Sequence, residues 1–92
     1  MAMKHAGPEA LDQLEGLLDE LRGLDGLREK GRGAFFVHSR SLLHFHEDSS
    51  GLYADLREHG RFVRLPVTTP RQRQLFVKRV RRAMVTDQPV AR

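Results

Sequence analysis

The stretch Gly33-Ala-Phe-Phe-Val-His-Ser-Arg-Ser-Leu-Leu-His-Phe-His-Glu-Asp48, continued by Ser49-Ser50-Gly51-Leu-Tyr-Ala-Asp-Leu56, decides the fold. Short β-type runs are separated in it by turn residues, which predicts strands over Ala34 to His38, Ser41 to Glu47 and Leu52 to Arg57, with a fourth over Arg61 to Val67. Ser39 and Arg40 are placed in the first tight turn, Asp48 to Gly51 in the second and His59-Gly60 in the third. A loop of Asp48 to Gly51 sets Glu47 opposite Leu52, His46 opposite Tyr53, Phe45 opposite Ala54 and His44 opposite Asp55. Leu43, Phe45, Ala54 and Leu56 then share one face of the sheet, and His44, His46, Tyr53 and Asp55 share the other.

Helical periodicity flanks the strands on both sides. Pro8 suits the first position of a helix, and Leu11, Leu14, Leu17, Leu18, Leu21 and Leu24 recur at three- and four-residue spacing behind it. This predicts a helix over 8–22, running on irregularly toward Lys30, with Glu9, Asp12, Glu15, Asp19 and Glu20 outward. Thr69-Pro70-Arg71-Gln72 reads as the capped start of a second helix, with Leu75, Phe76, Val80, Ala83 and Met84 inward. The expectation is an α+β two-layer sandwich in the order α-β-β-β-β-α, an antiparallel four-stranded meander with both helices on its Leu43/Phe45 face. Phe35, Val37, Leu42, Tyr53 and Phe62 are expected on the open face, a surface for pairing with a second copy of the chain.

Ninety-two residues bury one core, so a single domain is expected over 8–85, with a flexible start at 1–7 and a flexible tail at 86–92. With 39% hydrophobic residues the chain has the composition of a folded protein. Cysteine is absent, which excludes disulfides, thiolate metal sites and a cysteine nucleophile and points to the cytosol. No apolar run reaches the length of a membrane span, so no membrane partner is expected. Thirteen of the sixteen basic residues are arginine, the bias of a GC-rich bacterial genome.

The charge is polarised. Residues 1–30 carry seven acids and four bases, whereas residues 31–92 carry five acids and twelve bases. Between Glu58 and Asp87 there is no acidic residue at all. Arg71, Lys78, Arg81 and Arg82 fall on the outward side of the second helix, where they are candidates for binding nucleic acid, another polyanion or an acidic protein. The competing expectation is that the acidic first helix neutralises them within the fold.

His44-Phe45-His46 is the local motif with most chemistry, because strand alternation sends both imidazoles to one face about 7 Å apart. With Asp55 opposite His44, the three offer the nitrogen and oxygen donors that zinc or non-haem iron takes, and His38 or Glu47 offers a further group. A surface His-Asp pair without a metal, or an acid-base pair, uses the same residues. No motif calls for an organic cofactor, so a divalent metal is the one such group considered. The serines near these histidines lack a G-x-S-x-G elbow and read as turn formers, and no catalytic residue is assigned.

The quoted stretch resembles small bacterial proteins in which a His-x-His strand precedes a strand ending in Ala-Asp-Leu, and is similar, more loosely, to the luciferase-domain family of conserved hypothetical proteins. The resemblance covers roughly residues 33–84. It implies a compact α+β domain with His44, His46 and Asp55 as its central positions, and it implies no activity. The sequence as a whole reads as a cytosolic binding or interaction domain that self-associates through its open sheet face. Polyanion binding by the basic helix and a metal site at the histidines are the alternatives.

Overall fold

In the computed structural model, which describes residues 3–86, the chain runs through β1 (Lys4–His5), α1 (Pro8–Gln13), α2 (Glu15–Arg22), β2 (Arg28–Glu29), β3 (Phe35–Val37), β4 (Arg40–Asp48), β5 (Gly51–Glu58), β6 (Arg61–Pro66) and α3 (Pro70–Thr86). The strands form one antiparallel sheet in the order β2-β3-β4-β5-β6, and β1 also pairs with β4. β3 pairs with the Arg40 end of β4 and β1 with the His46-Glu47 end, so the two lie one after the other along the same edge of that long strand. The α+β class and the antiparallel sheet are as the sequence implies. The four-stranded count is not: the sheet has six strands, because β1 and β2 are two residues each and too short to show any periodicity.

The expected α-β-β-β-β-α order is corrected at its start. Lys4 and His5, which fall in the lead-in expected over 1–7, pair with Glu47 and His46. Gly7 is held as well, its N–H donating to Glu47 Oε2 at 2.7 Å. The first helix is two helices that meet at Leu14, whose backbone (φ −92°, ψ 5°) leaves helical values and whose N–H bonds both Ala10 and Leu11. α2 stops at Arg22, and the chain then enters β2 instead of continuing as helix toward Lys30. Of the expected tail, residues 87–92 lie outside the described residues.

The predicted β4–β5 register is the one observed, from Glu47 against Leu52 to His44 against Asp55. An Asx turn closes this hairpin, with Asp48 Oδ1 accepting from Ser50 N–H at 2.7 Å. The first turn differs by one residue. His38 and Ser39, both at positive φ, make it, which is the backbone of a two-residue hairpin loop, and Arg40 belongs to β4. Phe35 then pairs with Leu43 and Phe36 with Ser41, leaving Leu42 as the extra residue of a bulge. This slip moves Phe35, Val37 and Leu42 off the face expected to be open and into the core. Of the five residues expected on the open face, Tyr53 is half-buried and Phe62, at 45% exposure, remains outside.

The core joins Leu14, Leu17, Leu18 and Leu21 of the first helical segment to Phe35, Leu43, Phe45, Ala54 and Leu56 of the sheet and to Phe76, Val77, Val80 and Ala83 of α3. Val77 takes the inward place expected for Leu75, which is exposed. The capping box at the start of α3 is present: Thr69 Oγ1 accepts from Gln72 N–H at 3.1 Å, and Gln72 Oε1 accepts from Thr69 N–H at 3.0 Å. No helix among the described residues is long and apolar enough to cross a membrane. With all three helices contributing to one core, the opposite sheet face carries the polar side chains of β1, β4, β5 and β6.

Candidate metal centre

Two rows of cross-strand neighbours build the open face. One runs His44, Asp55, Arg64 and the next runs His5, His46, Tyr53, Pro66. Phe45 and Ala54, which alternate with these rows, point into the core and hold β4 and β5 in place beneath the polar groups.

Within this frame the side chains of His44, His46 and Asp55 converge, each offering one donor atom, all within 4.8 Å of one another. Asp55 Oδ2 lies 3.2 Å from His46 Nε2 and 3.7 Å from His44 Nε2. A tetrahedral zinc with bonds of about 2.0–2.1 Å sets its donors roughly 3.3–3.4 Å apart, a value these two separations bracket. His46 and Asp55 are largely shielded, their side chains 10% and 13% exposed, and His44 is at 27%. The Nε2 of His46 is buried and makes no hydrogen bond, even though a carboxylate oxygen stands 3.2 Å away. A buried polar atom without a partner costs about 1–3 kcal/mol.

Arg64 fixes the carboxylate. Its Nε donates to Asp55 Oδ1 at 2.7 Å and its second nitrogen to Oδ2 at 2.8 Å, a two-pronged pair that sets the plane of the group. A carboxylate oxygen has two lone pairs, so Oδ2 can accept from Arg64 and still face the imidazoles. Burial pushes Asp55 up, but the hydrogen bonds and charge of Arg64 outweigh it and hold the carboxyl below its ordinary range. Burial also pushes His44 and His46 down, against the opposing charge of Asp55, so both imidazoles favour the neutral form that binds metals.

The sequence reading missed His5. Its ring stacks on His46 with centroids 4.6 Å apart and lies 5.8 Å from that of His44. Nothing in the local sequence marks Lys4–His5 as a strand; only the pairing with β4 brings this imidazole to the other two. Phe62 closes the opposite side, its ring edge-on to His44 at 5.2 Å. The two further groups suggested by the sequence do not join. Glu47 is engaged by Gly7 N–H, and His38 is exposed in the β3–β4 turn beside Arg81 and Met84 of α3.

The four basic candidates of α3, Arg71, Lys78, Arg81 and Arg82, are exposed, with Arg81 beside His38 and Arg82 beside His59. Among the described residues no ion pair joins them to the acidic helices, although Asp25, just after α2, lines a cavity with Arg81. Arg22 takes Glu15, Asp19 and Glu29, and Arg32 takes Asp12 and Glu15. Comparison with protein-family models, with curated proteins and with solved structures finds no match to the chain, so what its sites do is argued from their geometry.

Proposed function

We propose that this domain binds one first-row divalent cation, zinc foremost, on its open sheet face through His44 Nε2, His46 Nε2 and the carboxylate of Asp55. The observation that carries the reading is the buried His46 Nε2, which has no hydrogen-bond partner and lies 3.2 Å from an anchored carboxylate oxygen, with a second imidazole donor within 4.8 Å. Two neutral nitrogens and one oxygen suit zinc, and the same set suits non-haem iron. Three protein donors would leave a further coordination position for water or another ligand.

The self-association reading has less support. Phe35, Val37 and Leu42, three of the five residues on which it leaned, are in the core.

Zinc titrated into chelator-stripped protein tests the proposal. At a hundredfold excess of free zinc over Kd, one site on the native state adds about 2.7 kcal/mol of stability. Wild type should show this gain and His46→Ala should lose it. Equal stabilisation of both proteins, or none in either, would overturn the reading.

A further inference from the structure

The outer side of α3 is a second site of different chemistry. At 100° per residue, Arg71, Lys78 and Arg82 fall within an arc of about 40° and span roughly 16 Å of helix, with Arg81 about 60° to one side of that arc. All four are exposed, and none is in an ion pair among the described residues, Asp25 being the acid that shares a cavity with Arg81. The other arginines of this helix have structural work. Arg73 donates to the carbonyls of Val67 and Thr68, and Arg79 holds Glu58 with contacts of 2.6 and 3.0 Å. Glu58 lines a shallow cavity with Arg79 and Arg82, but it is committed to Arg79.

Two further observations bear on what this stripe contacts. The sequence carries no acid from residue 59 to residue 86, so a polyanion lying along α3 meets no like charge from its own element. The apolar side of the helix is consumed by the core through Phe76, Val77, Val80 and Ala83, and the exposed apolar residues Leu75 and Val85 stand ten residues apart beside the stripe, too few and too separated to form a face that sinks into a lipid surface. What it presents is a rigid rod of cations, suited to a partner whose negative charges are themselves in regular array. We propose that α3 docks on the phosphate backbone of duplex nucleic acid through Arg71, Lys78, Arg81 and Arg82, without reading base sequence. The contacts are charge-assisted hydrogen bonds to phosphate oxygens, and their free energy comes largely from release of condensed counterions.

The test is fluorescence anisotropy of a labelled mixed-sequence DNA duplex of about 20 base pairs, titrated with the full chain at several salt concentrations. Four phosphate contacts give a log K against log salt slope of about −3.6, so raising salt from roughly 50 to roughly 200 mM should weaken binding about a hundredfold. Each of Arg71→Gln, Lys78→Gln, Arg81→Gln and Arg82→Gln should reduce the magnitude of the slope by about one, and the fourfold variant should lose binding. Arg28→Gln and Arg40→Gln, exposed positions outside α3, should retain it. Circular dichroism confirms that each variant is folded, and the single variants decide the matter if the fourfold variant is not. Absence of binding at the lowest salt overturns the proposal, as does a slope that the α3 variants leave unchanged. So does binding of phosphatidylserine vesicles through these residues without binding of the duplex, which would assign the stripe to a lipid surface.

Discussion

The Nε2 of His46 lies 3.2 Å from Oδ2 of Asp55, nearer than the 3.7 Å separating that oxygen from His44, although His44 is the residue paired with Asp55 across the strands. The twist of an antiparallel pair brings one diagonal neighbour closer than the other, and here it carries the Asp55 carboxylate toward the more deeply buried imidazole. Contact without a hydrogen bond is an arrangement that a cation between the two groups completes.

Arg64 and a bound cation compete for the charge of Asp55. A guanidinium about 5 Å from a divalent ion in a water-like dielectric opposes it by roughly 1–2 kcal/mol. Arg64→Gln should therefore tighten zinc binding by about tenfold, measured by competition with a chelating dye. Weaker binding in this variant would show that orientation of the carboxylate matters more than repulsion.

Without metal, the two histidines should make stability depend on pH. Burial, opposed by the charge of Asp55, lowers both below the ordinary value of 6.5. As pH falls through 6.5 the unfolded chain takes up protons before the folded one, so their contribution is intact above that pH and is lost as pH falls toward the folded-state values. In chelator, denaturant midpoints should decline between about pH 7 and about pH 5, and the double variant His44→Gln/His46→Gln should be flatter over this window. An unchanged slope in the double variant would mean that these imidazoles titrate as they do in the unfolded chain.

Thr69 is predicted to contribute to folding alone. Its Oγ1 caps α3 by accepting from Gln72 N–H, so Thr69→Ala should cost about 1 kcal/mol in urea unfolding. Zinc affinity should not change.

Gly51 tests the join between β5 and the chain leading into α3. It has φ +146°, and a Cβ there would strike Thr68 Oγ1, which itself bonds both backbone groups of Leu52. Gly51→Ala should destabilise by about 1–3 kcal/mol in the same assay.

Much of this was legible in the chain. The Asp48–Gly51 loop is short and its flanks alternate cleanly, so the register that unites His44, His46 and Asp55 followed from counting. Thr69 and Gln72 form a capping box within four residues, a signal visible in the local sequence. What the sequence concealed is non-local. The identity of the first turn depends on whether His38 and Ser39 accept positive φ, a conformation more often given to glycine or asparagine. One residue of error there, with the Leu42 bulge, exchanged the faces of Phe35 and Val37. His5 was hidden for the same kind of reason: two residues have no periodicity, and their strand exists only because Glu47 and the Phe45 carbonyl hold the segment against β4.

X-ray absorption at the zinc edge of the one-to-one complex tests the central claim most directly. Two imidazole nitrogens and a carboxylate oxygen predict a first shell of nitrogen and oxygen near 2.0–2.1 Å, with the outer-shell scattering of two histidine rings. His46→Ala, loaded at the higher zinc concentration its weakened site needs, should lack one ring of that pattern. A shell of oxygen alone, or a histidine signal that His44→Ala and His46→Ala both leave intact, would contradict the assignment and place the metal elsewhere on the protein.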